Sequence, residues 1–406
     1  MSDSGTNAAT SGRDLRVVLI AGEHSGDALG EKLMQALSEI THGRVTFSGV
    51  GGEGMERLGF VSHFPLHEVA VMGPLSILKH LPRLVRRVHD AVAAALAANP
   101  DVVVIIDAPE FTHPIAKRIR RKRPDIPIID YVSPSVWAWR PGRARKMKAY
   151  VDHVLALLPF EPEAHQRLGG PECTYVGHPL IERVAAMRGI ATEPLSQRLG
   201  LDPARPVLVV LPGSRSSEVG RLMGPFGEAV RRLIASGVNP QVIVPVVVSA
   251  RARIEKGLAS WPLRPHLVEG DDAKFACFKL ASAALAASGT VTLELALCRV
   301  PSVVGYRVDP IAAPVLRRAL KLPSVVLPNL VAGHNIYPEF HQEACSPVNL
   351  AAALKPLLSD TPERAAQLAG LDAIPARMVS PGHTPSLAAA AIVVRMAQRG
   401  RIERLR

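Results

Sequence analysis

Short runs dominated by aliphatic and β-branched residues recur along the chain, and each runs into a loop of glycine, proline or small polar residues. Residues 15–21 (LRVVLIA) enter Gly22-Glu23-His24-Ser25-Gly26-Asp27, after which Leu29, Leu33, Met34 and Leu37 recur at helical spacing. The rhythm repeats: residues 45–50 enter Gly51-Gly52, residues 102–106 enter Asp107-Ala108-Pro109, and residues 128–132 enter Ser133-Pro134-Ser135. Strands with no polar alternation have both faces covered, so the pattern predicts a parallel sheet packed between helices. A second series begins at residues 207–211 before Pro212-Gly213-Ser214-Arg215 and continues through 242–248, 283–287 and 302–306. The expectation is an α/β protein built from two such domains.

Length and composition agree with this. The chain has 406 residues, enough for two or three domains at roughly 150 residues each. With 48% hydrophobic and 21% charged residues it can build sizeable cores, which excludes a disordered chain. The longest apolar runs, such as 387–394, fall far short of the ~18 residues of a membrane span. Aromatic residues are only 4%, so the net charge of +12 lacks the stacking rings of a single-strand nucleic-acid platform, and no nucleic-acid partner is expected. Cys173, Cys277, Cys298 and Cys345 form no Cys-x-x-Cys pair, which fits a reducing cytosol rather than a disulfide or zinc scaffold. The polar N-terminus reads as a frayed extension, not a secretory signal. The expected division is an extension over 1–14, a first domain over 15–190, a second over 191–372, and a helical tail over 373–406 that packs back on the first. The stretch 181–206, a helix-like piece followed by Gly200, Pro203 and Pro206, is the expected linker.

In open parallel sheets ligands sit beyond the carboxyl ends of the strands, so the loops above are where chemistry belongs. The 22–27 loop is neither a G-x-G-x-x-G nor a Walker A sequence. It reads either as backbone lining a substrate or as a tight turn capped by Ser25 or Asp27. Asp107, at the tip of a buried strand, reads as a general base or as the cap of a helix that begins at Pro109. Glu110 is a second acid or complements a helix dipole. The segment from Pro212 to Arg215 offers backbone N–H groups and a guanidinium to a diphosphate, and Ser288-Gly289-Thr290 has the same form, with Glu294 one turn further on within reach of a ribose diol. For both, an ordinary capped helix is the plainer alternative.

Two further segments are cationic. Ser133-Pro134-Ser135-Val136-Trp137-Ala138-Trp139-Arg140 sets two tryptophans beside a stretch from Lys117 to Lys148 that holds eleven Lys and Arg against Asp125 and Asp130, a net +9. Such a patch favours phosphate groups or an anionic membrane, or else is a solvated flank with core tryptophans. Met72-Gly73, followed by Leu75, Ile77, Leu78, Leu81, Leu84, Val85 and Val88 among Lys79, Arg83, Arg86 and Arg87, reads as a membrane-surface helix or a core-facing one. The tail arginines Arg395, Arg399, Arg401, Arg404 and Arg406 pose the same choice.

Taken together, GEHSGD, VMGPLSILKHLP, IDAPEF, YVSPSVWAWR, LPFE, VGHP, LPGSR, ASGTVTLE and LPNLVAG stand in the order found in lipid-A-disaccharide synthases, and the resemblance runs from about residue 15 to 355. It implies a GT-B glycosyltransferase, two Rossmann-like domains facing across a cleft, working without metal or cofactor. The implied reaction joins UDP-2,3-diacylglucosamine to 2,3-diacylglucosamine 1-phosphate (lipid X), with inversion, giving the β-1,6-linked disaccharide 1-phosphate and UDP. Asp107 matches the first Asp of the family's I-D-A-P-D-F stretch and would take the acceptor's proton. Gly213, Ser214, Arg215, Ser288, Gly289 and Thr290 would bind the UDP diphosphate and Glu294 its ribose, with Asn329, Glu339 and Gln342 lining the nucleotide side. Glu23, Ser25, Gly26, Asp27, Met72, Gly73, Ser133, Ser135 and Trp137 would line the sugar and acceptor side. Both substrates are lipids, so the implied place of work is the cytosolic face of the inner membrane, reached through basic and apolar surface; oligomeric state is left open. Glu110, His24 and His334 depart from the family's usual Asp, Thr or Ala, and Arg, and none of them touches Asp107, Arg215 or Glu294. A UDP-N-acetylglucosamine epimerase or an undecaprenyl-acceptor transferase would share the fold, but the Tyr131 to Arg140 block stands against both. A basic, non-catalytic nucleic-acid or membrane binder is the competing reading from another class.

Overall fold

The computed structural model describes residues 13–69, 74–308, 324–379, 382 and 384–405. Met72 and Gly73 therefore lie outside the described residues. Six parallel strands form the first sheet: β1 (Leu15–Ala21), β2 (Val45–Val50), β3 (Val102–Ile106), β4 (Ile128–Tyr131), β5 (His153–Ala156) and β6 (Glu172–Tyr175), in the order β2-β1-β3-β4-β5-β6. The second sheet holds β7 (Val207–Leu211), β8 (Gln241–Val246), β9 (His266–Glu269), β10 (Ala283–Ala287), β11 (Ser302–Tyr306) and β12 (Glu339–His341), in the order β12-β11-β10-β7-β8-β9. Every residue of β3, β7 and β10 is buried, as strands covered on both faces require.

In the first half, α1 (His24–Ile40) covers one face. α3 (Pro74–Ala97), α4 (Pro109–Lys122) and α5 (Gly142–Met147) cover the other, and the single-turn α2 (Glu53–Glu56) follows β2. α6 (Glu161–Leu168) precedes β6. The stretch between the sheets is mostly helical, α7 (Leu180–Gly189) and α8 (Glu193–Leu199), so the linker is a packed element rather than an open strand of chain. The second half is covered by α9 (Ser216–Ala235), α10 (Arg251–Leu258), α11 (Asp271–Leu280) and α12 (Thr290–Leu297).

The C-terminal helix Pro385–Leu405 returns to the first half. Its Ala389, Ala390, Val393 and Ala397 are buried in one cluster with Leu33, Met34 and Leu37 of α1 and Val104 of β3. Small alanines let this helix lie close on α1. Polar contacts fix its ends: Glu182 of α7 accepts from the backbone N–H and hydroxyl of Ser386, and Arg401 pairs with buried Asp101 at 2.6 Å. Arg401 thus has a partner inside the fold rather than at an anionic surface.

The strand order places the functional loops. Chain connections leave β1 toward β2 on one side and β3 lies on the other, so the crevice at the carboxyl ends opens between β1 and β3; β7 and β10 are related in the same way in the second sheet. These switch points are where open α/β sheets bind ligands. The segments following them, short loops running into the first turns of helices, are 22–27 and 107–110 in one half, and 212–215 and 288–290 in the other.

Candidate active site

Two carboxylate-bearing loops meet in the first half. Asp107 follows β3 in a left-handed conformation (φ +56°), as does Ala108 (φ +43°). Consecutive left-handed residues without glycine cost roughly 1–2 kcal/mol each. The turn is held by its hydrogen bonds: the Asp107 N–H donates to the Tyr131 carbonyl at 3.0 Å, and the Thr112 hydroxyl donates to the Asp107 carbonyl at 2.8 Å. On the side chain, Oδ1 accepts the Ala108 N–H at 2.7 Å and Oδ2 accepts the Ser25 hydroxyl at 2.7 Å. The carboxylate caps neither the second nor the third residue of α4, so it is not an ordinary N-cap. Glycine at 22 and 26 is what lets the loops touch. A Cβ at Gly22 would stand 2.4 Å from the Ala108 Cβ, and one at Gly26 would stand 3.0 Å from the Ile106 carbonyl oxygen.

Glu23 links the two halves electrostatically. It is half-buried, and burial together with the Asp107 charge pushes its carboxyl above the ordinary value, while Arg215 of the other half and His24 pull it down. One carboxylate therefore feels both switch points.

Beside Asp107 lies a cavity of about 260 Å³ whose walls include Ser133, Ser135, Trp139 and Arg143. Arg143 pairs with Glu110 at 2.6 Å. Partial burial raises the Glu110 carboxyl, but that bond and the charges of Arg143 and Arg140 hold it below its usual value. The Ser133 hydroxyl is buried and meets His165 Nε2 at 2.8 Å. Trp137 is placed behind the wall rather than in it. Its indole N–H donates to Glu161 Oε1 at 3.1 Å, its ring meets Phe160 edge-on at 5.1 Å, and both rings pack against the core cluster that runs from Leu158 and Leu180 into the second half. Glu161 in turn accepts the N–H groups of Leu157 and Leu158 through Oε2, and burial pushes its carboxyl up to about 7 against the pull of those donors. The cavity wall is thereby mounted on the seam between the halves.

Asp27 has a local task. It is buried, and its carboxylate accepts the N–H groups of Gly52 (2.8 Å), Gly54 (2.8 Å) and Met55 (3.1 Å), which satisfies the start of α2. It caps the helix after β2, not its own. Asp27→Ala strands three donors, two of them buried, with an expected loss of about 3 kcal/mol of stability. Urea unfolding that leaves the variant within about 1 kcal/mol of the parent would contradict this assignment.

In the second half, Gly213 takes φ +112° after β7, where a Cβ would come 2.7 Å from the Glu218 Cβ. Ser214 is exposed, and Arg215 is the N-cap of α9. The guanidinium rests on Glu218 at 3.2 Å and is 61% exposed, so it is free to turn toward an anion at the open N–H groups of α9. After β10, Gly289 and Thr290 are exposed at the start of α12, and the Ser288 hydroxyl donates to the Val325 carbonyl at 3.0 Å. Val325 N–H donates to Glu339 Oε2 at 3.1 Å, which His341 Nε2 also meets at 2.9 Å. Glu339 Oε1 is buried and has no hydrogen-bond partner among the described residues. Gln342 Oε1 accepts the Val308 N–H at 2.7 Å. Asn329 is buried with its amide committed to the 336–337 turn: Oδ1 accepts from Ile336 and Tyr337, and Nδ2 donates to the Tyr337 carbonyl. Glu294 stands one turn into α12 against Lys274. His334 is exposed beside the Ala332 carbonyl.

Sequence reasoning paired Trp139 with Trp137 but did not single out Arg143, Glu161, His165 or Lys274. The first three of these lie in or beside the YVSPSVWAWR and LPFE segments, and that adjacency was the available signal. Lys274 had none.

Two parallel α/β domains in one chain, each with its loops at the carboxyl ends of the strands, define the GT-B class. Solved structures of that architecture overlay most of the chain: UDP-GlcNAc 2-epimerase of Neisseria meningitidis bound to UDP-GlcNAc, with TM-score 0.60, 13% identity and coverage of 95% of this chain and 100% of that one, and α,α-trehalose 6-phosphate synthase of Burkholderia multivorans, with TM-score 0.60, 12% identity and coverage of 97% and 98%. At such identity the likeness is one of fold alone. The family model for lipid-A-disaccharide synthetase matches residues 17–377. Lipid-A-disaccharide synthase of Nitrobacter hamburgensis is 50% identical over 387 residues, covering 95% of this chain and 96% of the relative, and that of Bradyrhizobium diazoefficiens is 47% identical over 392 residues, covering 96% and 99%. The chain belongs to the lipid-A-disaccharide synthase family and is a glycosyltransferase of lipid A biosynthesis.

Proposed function

We propose that the chain transfers 2,3-diacylglucosamine from UDP to the 6-hydroxyl of 2,3-diacylglucosamine 1-phosphate, with inversion at the anomeric carbon. The observation that carries this reading is the Asp107 carboxylate, held at the switch point of the first sheet by the Ser25 hydroxyl and the Ala108 N–H and lining a cavity with Ser133 and Ser135. As the acceptor oxygen forms its bond to the anomeric carbon, its proton passes to Asp107. The bond from that carbon to the diphosphate breaks with its electron pair on UDP. Ser25 and the Ala108 N–H fix the direction of the Asp107 carboxylate, and each oxygen keeps a further lone pair for the incoming proton. Charge developing on the leaving diphosphate is met by Arg215 and by the N–H groups that open α9 and α12, donors already oriented before the reaction. No metal ion is assigned a part. Glu339 Oε1, buried and without a hydrogen bond among the described residues, supports the nucleotide side, since a ligand's O–H or N–H would satisfy it. Gly26, which lets α1 approach the end of β3, and Ser135, in the cavity wall, complete the acceptor side.

Among the described residues, no helix is long and apolar enough to cross a membrane. The chain reaches its lipid substrates as a peripheral protein on the cytosolic leaflet. Leu81 and Val85 are exposed on α3 next to exposed Arg83 and Arg86, and Arg121, Lys122, Arg145, Lys146 and Lys148 are exposed without an ion pair among the described residues. Binding to vesicles of anionic phospholipid is expected to fall steeply as salt rises, while activity on detergent-dispersed substrate stays nearly constant. Salt-independent vesicle binding contradicts the surface assignment. For the reaction itself, the test is UDP release in EDTA and detergent, which is expected only when both the UDP-sugar and the 1-phosphate acceptor are present. Release that ignores the acceptor would favour hydrolysis or epimerisation instead.

A further inference from the structure

We propose that Lys274 is a positioning residue for the nucleotide: its ammonium holds the Glu294 carboxylate in the orientation that receives the ribose diol, so this lysine sets the preference for an intact ribose. The inference rests on the assignment of Glu294 to the ribose. Lys274 Nζ lies 3.1 Å from Glu294 Oε1 and 3.0 Å from Oε2, touching both oxygens at once. The two side chains are only 22% and 14% exposed, so this pair is not one of the loose surface contacts that contribute little.

The lysine is itself held from behind. Its ammonium stands 3.3 Å from Asp271 Oδ1 and 4.4 Å from the centroid of the Phe275 ring, and Arg183 of α7 binds Asp271 Oδ2 at 3.1 Å. Arg183 also lies over the Phe275 ring at 5.4 Å. Charges thus alternate from the linker helix to the nucleotide loop, Arg183, Asp271, Lys274 and Glu294, backed by one aromatic ring. Each Glu294 oxygen keeps a second lone pair, one for each hydroxyl of a vicinal diol. A carboxylate pinned at both oxygens does not spend binding energy on being ordered when the diol arrives.

Removing a positive charge near a diphosphate weakens any UDP analogue, so affinity alone is not diagnostic. The diagnostic quantity is the ratio of dissociation constants for 2′,3′-dideoxy-UDP and UDP, measured by calorimetry on the full chain. The parent is expected to prefer UDP by ~10-fold or more, as hydrogen bonds to a charged group give. Lys274→Met is expected to shrink that preference to about threefold or less, and Lys274→Arg to retain most of it. Lys274→Gln serves in place of the Met variant if that one does not fold. A Met or Gln variant that keeps the parental ratio, even with both affinities lowered, overturns the role of Lys274. In that case Glu294→Gln separates the two assignments: loss of the ratio there leaves Glu294 on the ribose and removes only the lysine. A parent that binds both nucleotides equally overturns the ribose assignment and this proposal with it.

Discussion

Asp107→Asn is expected to lose transfer by about 10²- to 10⁴-fold, the range spanned by general-base catalysis, while binding UDP with unchanged affinity. Asparagine is the informative replacement because of the backbone. Residue 107 sits at φ +56°, a conformation that asparagine tolerates and alanine pays for, so an alanine variant would mix a catalytic loss with distortion of the turn. The amide oxygen can still accept the Ala108 N–H and the NH2 can donate to the Ser25 hydroxyl oxygen, but the amide cannot take a proton. The proposed UDP site lies on the other sheet, so nucleotide binding is expected to stay intact. Turnover within about tenfold of the parent would remove Asp107 from the proton transfer.

Arg215→Ala is expected to weaken UDP binding and to lower turnover as well, the latter by about 10²- to 10³-fold as for loss of one donor to a developing anion. Stability is expected to stay nearly constant. The only ion pair this guanidinium makes among the described residues is the exposed one with Glu218, and such pairs contribute about 0–1 kcal/mol. A melting temperature close to the parent's, beside a large kinetic loss, therefore separates function from folding. Arg215→Lys is expected to recover only part of the activity, because an ammonium cannot offer the guanidinium fork to two phosphate oxygens. An alanine variant that binds UDP as tightly as the parent would take Arg215 off the diphosphate.

The strands that carry these two loops were legible because they are covered on both faces: β3, β7 and β10 read as unbroken apolar runs, β1 is interrupted only by Arg16, and all four end where the apolar residues end. Four others were not read. β5, β6, β9 and β12 have three or four residues each, and the edge strands β6 and β12 include Glu172, Thr174, Glu339 and His341, so no run stands out. β8 was read two residues too long. Val247 and Val248 are as apolar as the strand, yet the chain leaves the sheet at Val246 and exposes both.

For side chains the limit is different. A carboxylate at the tip of a buried strand can be placed from sequence, since strand and loop are adjacent. What a polar side chain is already bonded to cannot, because the partner lies on another element. Asp27 is bonded to a loop some 25 residues on, Trp137 to Glu161 24 residues on, and Lys274 to Glu294 20 residues on. The cationic block shows the same effect. Arg120, Arg123 and Arg143 have acidic partners at Asp152, Asp125 and Glu110, and Lys117 lies over the Tyr150 ring, so the free positive surface is smaller than the sequence count implies.

The central claim is a direct, inverting displacement between two acylated glucosamines, and the most direct measurement is the structure of the product formed from the α-linked UDP donor and the 1-phosphate acceptor. Mass spectrometry is expected to find a tetraacyl disaccharide 1-phosphate. The proton coupling across the new anomeric centre is expected to be the large one of a β-linkage, with the bond to the acceptor's 6-oxygen. A small, α-type coupling would contradict direct displacement assisted by Asp107, and a product that retains a single sugar would contradict the transfer itself.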